Sequence, residues 1–175
     1  CRKLILHALA EVDVVRILRD GMPEIGEEEA RLLARLSEGS PGRAIELARR
    51  DGPALYRELL ALLNGLPVLD IRAIAALGDK AAGRGGDNES FATVVELLRG
   101  VLARLLRAKA TGEVMAPDSV EAALLSRLIQ RGGVEGWADA IASAEDLLRS
   151  ADWQNLDRRQ VLQTALLGLE APARG

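Results

Sequence analysis

The sequence predicts an all-α fold, and three observations predict it. The chain is 49% apolar and 28% charged, the balance of a folded domain rather than a disordered one. Aromatic residues make up only 2%, so the core must be built from Leu, Ala, Val and Ile, and Ala, Leu, Arg and Glu are strong helix formers. Apolar residues also recur at helical spacing between breaks rich in Gly, Pro and Asn. Codon bias towards GC accounts for much of this composition, including the shortage of lysine: Lys3, Lys80 and Lys109 are the only ones.

The elements follow in order. Cys1-Arg2-Lys3-Leu4-Ile5-Leu6-His7 opens without Met and without a signal-peptide pattern, in a short alternation of strand type. The expectation is a fragment of a longer polypeptide, with residues 1–9 the remnant of a preceding domain. From Glu11 to Asp20, Val12, Val15 and Leu18 give one helical face that ends at Gly21. Glu27, Glu28 and Glu29 then stand in a first turn, where the helix dipole favours acids, and this second helix continues through Leu36 and stops at Gly39. Ser40 offers an N-cap and Pro41 a pre-set first-turn φ, so a third helix is expected from Pro41 to Asp51. Residues 10–51 thus form a three-helix module.

Gly52-Pro53 marks the next boundary, and residues 53–175 read as a larger bundle. Its helices are expected near 53–64, 71–83, 89–110, 118–131, 134–151 and 156–169. The third carries the broadest stripe, with Phe91, Val94, Val95, Leu98, Val101, Leu102 and Leu105 flanked by Leu97 and Leu106. A face that wide packs on several sides, which makes this the central helix. Asn155 or Asp157 caps the last helix, and Glu170 to Gly175 reads as a frayed tail.

Charge and motif content limit the chemistry. A formal charge of −3 argues against a dedicated nucleic-acid grip, and no apolar run approaches the ~20 residues of a membrane span. One cysteine and one histidine provide neither a disulfide framework nor a zinc set. No P-loop, His-Glu-x-x-His or Gly-x-Ser-x-Gly motif occurs. Cys1 and His7 are better read as ordinary strand residues than as a thiol and its base, and the Glu27 to Glu29 run as a solvated first turn. Arg99, Arg104, Arg107 and Lys109 cluster on one helix, either as a phosphate-binding face or as a flank that pairs with acids. Trp137 and Trp153 read as packing residues. In Glu38-Gly39-Ser40-Pro41-Gly42-Arg43-Ala44, a glycine and a cap residue open a helix with arginine in its first turn. That geometry suits a phosphate and equally suits a well-capped helix.

This order of elements, with Leu36-Ser37-Glu38-Gly39-Ser40-Pro41-Gly42-Arg43-Ala44 and, less specifically, Asn155-Leu156-Asp157-Arg158-Arg159, resembles the delta-prime family of bacterial clamp-loader subunits. These belong to the AAA+ proteins, and the resemblance covers nearly the whole chain. It implies a small three-helix lid over 10–51 and a helical collar over 53–175, with an ATPase-type domain upstream. Cys1 would be the last residue of the family's Ser-Arg-Cys arginine-finger motif. Gly39, Ser40, Pro41, Gly42 and Arg43 would be a degenerate sensor-2 region. ATP-hydrolysing relatives carry arginine two residues after the serine; here Gly42 stands there, and Arg43 is turned about 100° further around the helix. The implied function is in DNA replication: a non-catalytic, cytoplasmic subunit that assembles the pentameric loader through its collar. The parent complex would be a DNA-directed DNA polymerase, a nucleotidyltransferase, with ATP hydrolysis in partner subunits.

The implied partners are the ATPase subunit and delta, with the sliding clamp and primed DNA reached only through the whole complex. Neither cofactor, metal nor membrane is implied, and the isolated chain is expected to be capable of self-association. The alternatives are another AAA+ clamp-loader subunit or a Holliday-junction motor relative, and a free-standing helical adaptor.

Overall fold

Helices account for the regular structure of the described residues, which in this computed structural model are 7–81, 88–153 and 156–175, the side chains of 88 and 151–153 excepted. In chain order they are α1 (Glu11–Gly21), α2 (Glu27–Leu36), α3 (Pro41–Arg49), α4 (Gly52–Leu63), α5 (Ile71–Ala81), α6 (Asn88–Thr111), α7 (Ser119–Leu128), α8 (Val134–Trp153), α9 (Arg158–Gly168) and α10 (Glu170–Arg174). The all-α expectation holds, and the described residues contain no strand. Of the expected N-terminal strand, residues 1–6 lie outside the described residues and residues 7–10 have no regular structure.

The chain divides into two units, Cys1–Pro53 and Ala54–Gly175. In the first, α1, α2 and α3 pack against one another through Val14, Leu18, Ala30, Leu33, Ala44 and Leu47, all buried. The expected α1 face is corrected, since Val12 is exposed and Val14 is buried with Leu18. The acids of α2 lie where its dipole favours them and bind locally, Glu27 and Glu28 both reaching Arg31. At the end of α2, Ser37 is buried and its Oγ donates to the Ala34 carbonyl at 2.9 Å. The third helix is shorter than its apolar pattern: it stops at Arg49, and Asp51 takes a left-handed φ of 54°. Gly52 and Pro53 then open α4 instead of separating two helices.

The second unit is built around α6, which packs against α5, α7 and α8. Its stripe from Phe91 to Leu105 is buried, including Leu97, as the expected central helix requires. Arg158 of α9 lies over the Phe91 ring, 5.5 Å from its centroid, a cation–π contact. Asp157 accepts from Arg159 N at the head of α9, as its cap signal predicts, and Asp118 caps α7 by accepting from Glu121 N. Asn155, the other expected cap, lies outside the described residues.

Two further expectations are corrected. First, α7 ends at Leu128, not at 131, because the carbonyls that follow bend towards a lysine from α6. Second, the tail is not frayed: Glu170–Arg174 is helical and Ala173 is fully buried. Its carboxylate at Glu170 accepts from Leu69 N at 2.8 Å, which ties the last turn of chain to the α4–α5 connection.

Candidate functional site

The turn ahead of α3 was the most specific candidate, and its geometry is that of a tightly built cap. Ser40 is the N-cap, its Oγ accepting from Arg43 N at 3.4 Å, with Pro41 in the first turn. Ser40 N donates to the Ser37 carbonyl at 3.1 Å, and Leu9 N donates to the Gly39 carbonyl at 2.9 Å. Gly39 has a φ of 83°, and a Cβ there would stand 2.6 Å from the Leu9 carbonyl oxygen. Only glycine meets both demands at once. The Arg43 side chain is half-buried, whereas Gly42 is exposed. One amide that an anion would need at this helix start is thus engaged by Ser40, and the turn chiefly fastens α3 to the 7–10 segment. Cys1 lies outside the described residues.

The basic residues of α6 do not form a phosphate-binding face, because three of them are directed at partners within the second unit. Arg99 Nε donates to Glu145 of α8 at 2.8 Å. Arg104 donates from Nε and from Nη2, the latter at 2.9 Å, to the carboxylate of Glu121 on α7. That carboxylate is fully buried, and the Arg104 side chain is only 11% exposed. Tyr56 of α4 completes the cluster, its hydroxyl donating to Glu121 Oε2 at 2.6 Å. Gly100, one turn before Arg104, leaves the space: a Cβ there would come 3.1 Å from the guanidinium Nη1. Burial first, then the hydrogen bond and charge of Glu121, push the Tyr56 phenol far above its ordinary range. It is a permanent donor.

Lys109 closes a second cluster. Its Nζ donates to the carbonyls of Ile129 at 3.0 Å, Arg131 at 2.8 Å and Gly132 at 2.9 Å, with Leu128 at 3.5 Å. They lie at and just beyond the end of α7, where a cation suits the helix dipole; Leu128 and Arg131 also accept from Arg131 N and the Trp137 indole, respectively. Desolvation lowers the ammonium's pKa from its ordinary value, and the ring of carbonyl oxygens is the counterweight. Trp137, fully buried as packing predicted, donates its indole N–H to the same Arg131 carbonyl at 2.9 Å. Trp153 carries no described side chain. In the last turn of α7, Arg127 donates to the carbonyls of Leu66 at 2.6 Å and Asn64 at 2.9 Å.

Sequence reasoning missed Tyr56, Glu121 and Gly132, though one signal was present. Glu121 occupies the first place of a buried stripe continued by Leu124, Leu125 and Leu128, and a carboxylate on an apolar stripe demands a partner. No group of three or more metal-capable side chains occurs among the described residues, and the Glu27 to Glu29 run is a surface turn. No described helix is long and apolar enough to cross a membrane.

Two recesses on the surface of the second unit are lined mainly by small and apolar side chains. A groove of about 460 Å³ runs between α4 and α5 over Ala61, Leu62, Ala73 and Leu77, with the Glu58–Lys80 ion pair at one end. Val68 and Ile71 stand exposed beside or near it. A second groove of about 500 Å³ lies along α8, α9 and α10. Both suit packing against another helix better than they suit a polar ligand. Comparison with protein-family models, with curated proteins and with solved structures finds no match to this chain.

Proposed function

We propose that this chain is the lid and collar part of a clamp-loader subunit of the delta-prime type, from bacterial DNA polymerase III. On this reading it acts in DNA replication in the cytoplasm without a catalytic site of its own. Its larger unit assembles the pentamer through apolar helix faces, and its three-helix unit responds to nucleotide held by neighbouring subunits. The sliding clamp and primed DNA are engaged by the complex as a whole. The observation that carries the reading is the Gly39–Arg43 turn, which opens the last helix of a separate three-helix unit ahead of a larger helical one. Gly42 at the place of the nucleotide-sensing arginine, and a Ser40 cap that engages the Arg43 amide, suit a member that does not hydrolyse ATP.

The test is assembly. The chain is mixed with the ATPase subunit and delta of a bacterial loader and followed by size-exclusion chromatography with light scattering. Co-elution in a stoichiometric complex is expected. A folded chain that elutes alone, while the ATPase subunit and delta still associate, overturns the proposal.

A further inference from the structure

An exposed face of α1 in the first unit and the groove along α8 and α9 in the second are complementary. On α1, Val12 is 71% exposed, and Val15, Arg16 and Arg19 lie on the same side. At about 100° per residue these four fall within roughly 100° of the helix circumference, a valine ridge with two guanidinium groups. Arg16 pairs with Asp13, and Arg19 lies 3.9 Å from Glu27, but all four side chains are at least 40% exposed. Such exposed pairs are worth little and exchange partners at low cost.

The groove along α8 and α9 has the opposite character. Gly136, Ala140, Ser143 and Leu147 form one wall, with Thr164 and Gly168 on the other. Small side chains on both walls let a helix backbone approach closely. The rim on α8 is acidic: Glu135, Asp139 and Asp146 fall within about 40° of one another around the helix, and all three are exposed, Asp146 in an exposed pair with Arg149. The α9 rim, with Gln160 and Thr164, is neutral. Lengths match as well, since α1 and the Gly136–Leu147 wall each span about 16 Å at 1.5 Å per residue.

We propose that α1 of one copy of this chain docks in the α8–α9 groove of a second copy, Val12 and Val15 entering the groove and Arg16 and Arg19 meeting the acidic rim. The contact is heterologous, since the two surfaces differ. It is also small and charge-steered, so it is weak and sensitive to salt. It is independent of the clamp-loader assignment. A failed assembly with loader subunits leaves it standing, and a monomeric chain leaves that assembly experiment to decide the other question.

Sedimentation equilibrium of the whole chain, alone and without partners, tests it. The wild-type mass should rise with concentration, and raised salt should reverse the rise. Two charge-reversed variants, R16E/R19E and E135R/D139R, should each weaken self-association by about tenfold or more. An equimolar mixture of the two should regain it, because the reversed charges are again complementary. Val12→Glu, at a site exposed enough to spare the fold, should weaken association alone, with far-UV circular dichroism confirming an unchanged helix content. A wild-type chain that stays monomeric at every accessible concentration overturns the proposal. So does association that survives Val12→Glu, or that the mixture fails to restore.

Discussion

Replacing Arg104 by Met, with Glu121 left in place, strips a fully buried carboxylate of its counter-charge and of two of the hydrogen bonds it accepts. Only the Tyr56 hydroxyl at 2.6 Å remains among the side-chain donors named above. Breaking a buried pair from one side costs about 3–5 kcal/mol. For a unit of this size each kcal/mol moves the midpoint by about 3–5 °C, so the shift should be about 10–20 °C. The triple variant R104M/E121L/Y56F removes the whole polar cluster and should come back to within about 1–2 kcal/mol of wild type, or exceed it. Both tryptophans, Trp137 and Trp153, belong to the second unit, so urea unfolding followed by tryptophan fluorescence reads that unit alone. Two results would refute the reasoning: a single variant costing less than about 1 kcal/mol, or a triple variant as unstable as the single one.

Gly132 and Gly112 form a matched pair. Both have positive φ, 57° and 79°, but a Cβ on Gly132 would come 2.2 Å from the Pro172 carbonyl oxygen and one on Gly112 meets nothing within 4 Å. Gly112→Ala should therefore cost about 1–2 kcal/mol in urea unfolding, and Gly132→Ala a further ~1–3 kcal/mol. Lys109→Met should cost about 1–3 kcal/mol by removing the Lys109 donor from the Ile129 and Gly132 carbonyls, with faster amide exchange around Trp137 as its local signature. Ser40→Ala should cost about 1 kcal/mol in the first unit through loss of the α3 cap, read by far-UV circular dichroism. Tyr56 is the only tyrosine, so ultraviolet titration of tyrosinate reports it directly. Its folded pKa is raised, so its stabilising contribution is complete below the unfolded value of about 10 and is lost as pH climbs beyond it. The folded chain should show no tyrosinate in the range where an exposed phenol ionises, and wild type should lose more stability there than Tyr56→Phe.

The parts of the fold that were legible in the sequence are those decided within one helix turn. Ser40 with Pro41, and Asp157, mark starts because a side-chain oxygen reaches an amide two or three residues on, and the α6 stripe marks a central helix because its width is a local property. The corrected parts depend on residues far away in the chain. The end of α7 is set by Lys109, which lies 19 to 23 residues before the carbonyls it binds. The tail becomes α10 because Glu170 finds Leu69 N, a partner that periodicity in the tail cannot reveal. The Gly39–Arg43 turn was legible as a cap. Its attachment to Leu9 was not, since that requires knowing where the chain re-enters.

The partners of the α6 cations bear on the two readings of that basic cluster. A phosphate grip needs guanidinium and ammonium groups facing solvent along a continuous face. On α6, Arg99, Arg104 and Lys109 instead hold Glu145, Glu121 and the end of α7, so the basic helix binds its own bundle together. Once those charges serve the interior, the recessed surface left on the second unit is lined by Ala, Gly, Leu and Val with acids at its edges. Such a surface suits close approach of another helix better than it suits a polyanion. Assembly, in the loader or between copies of this chain, is the role that this distribution of side chains favours.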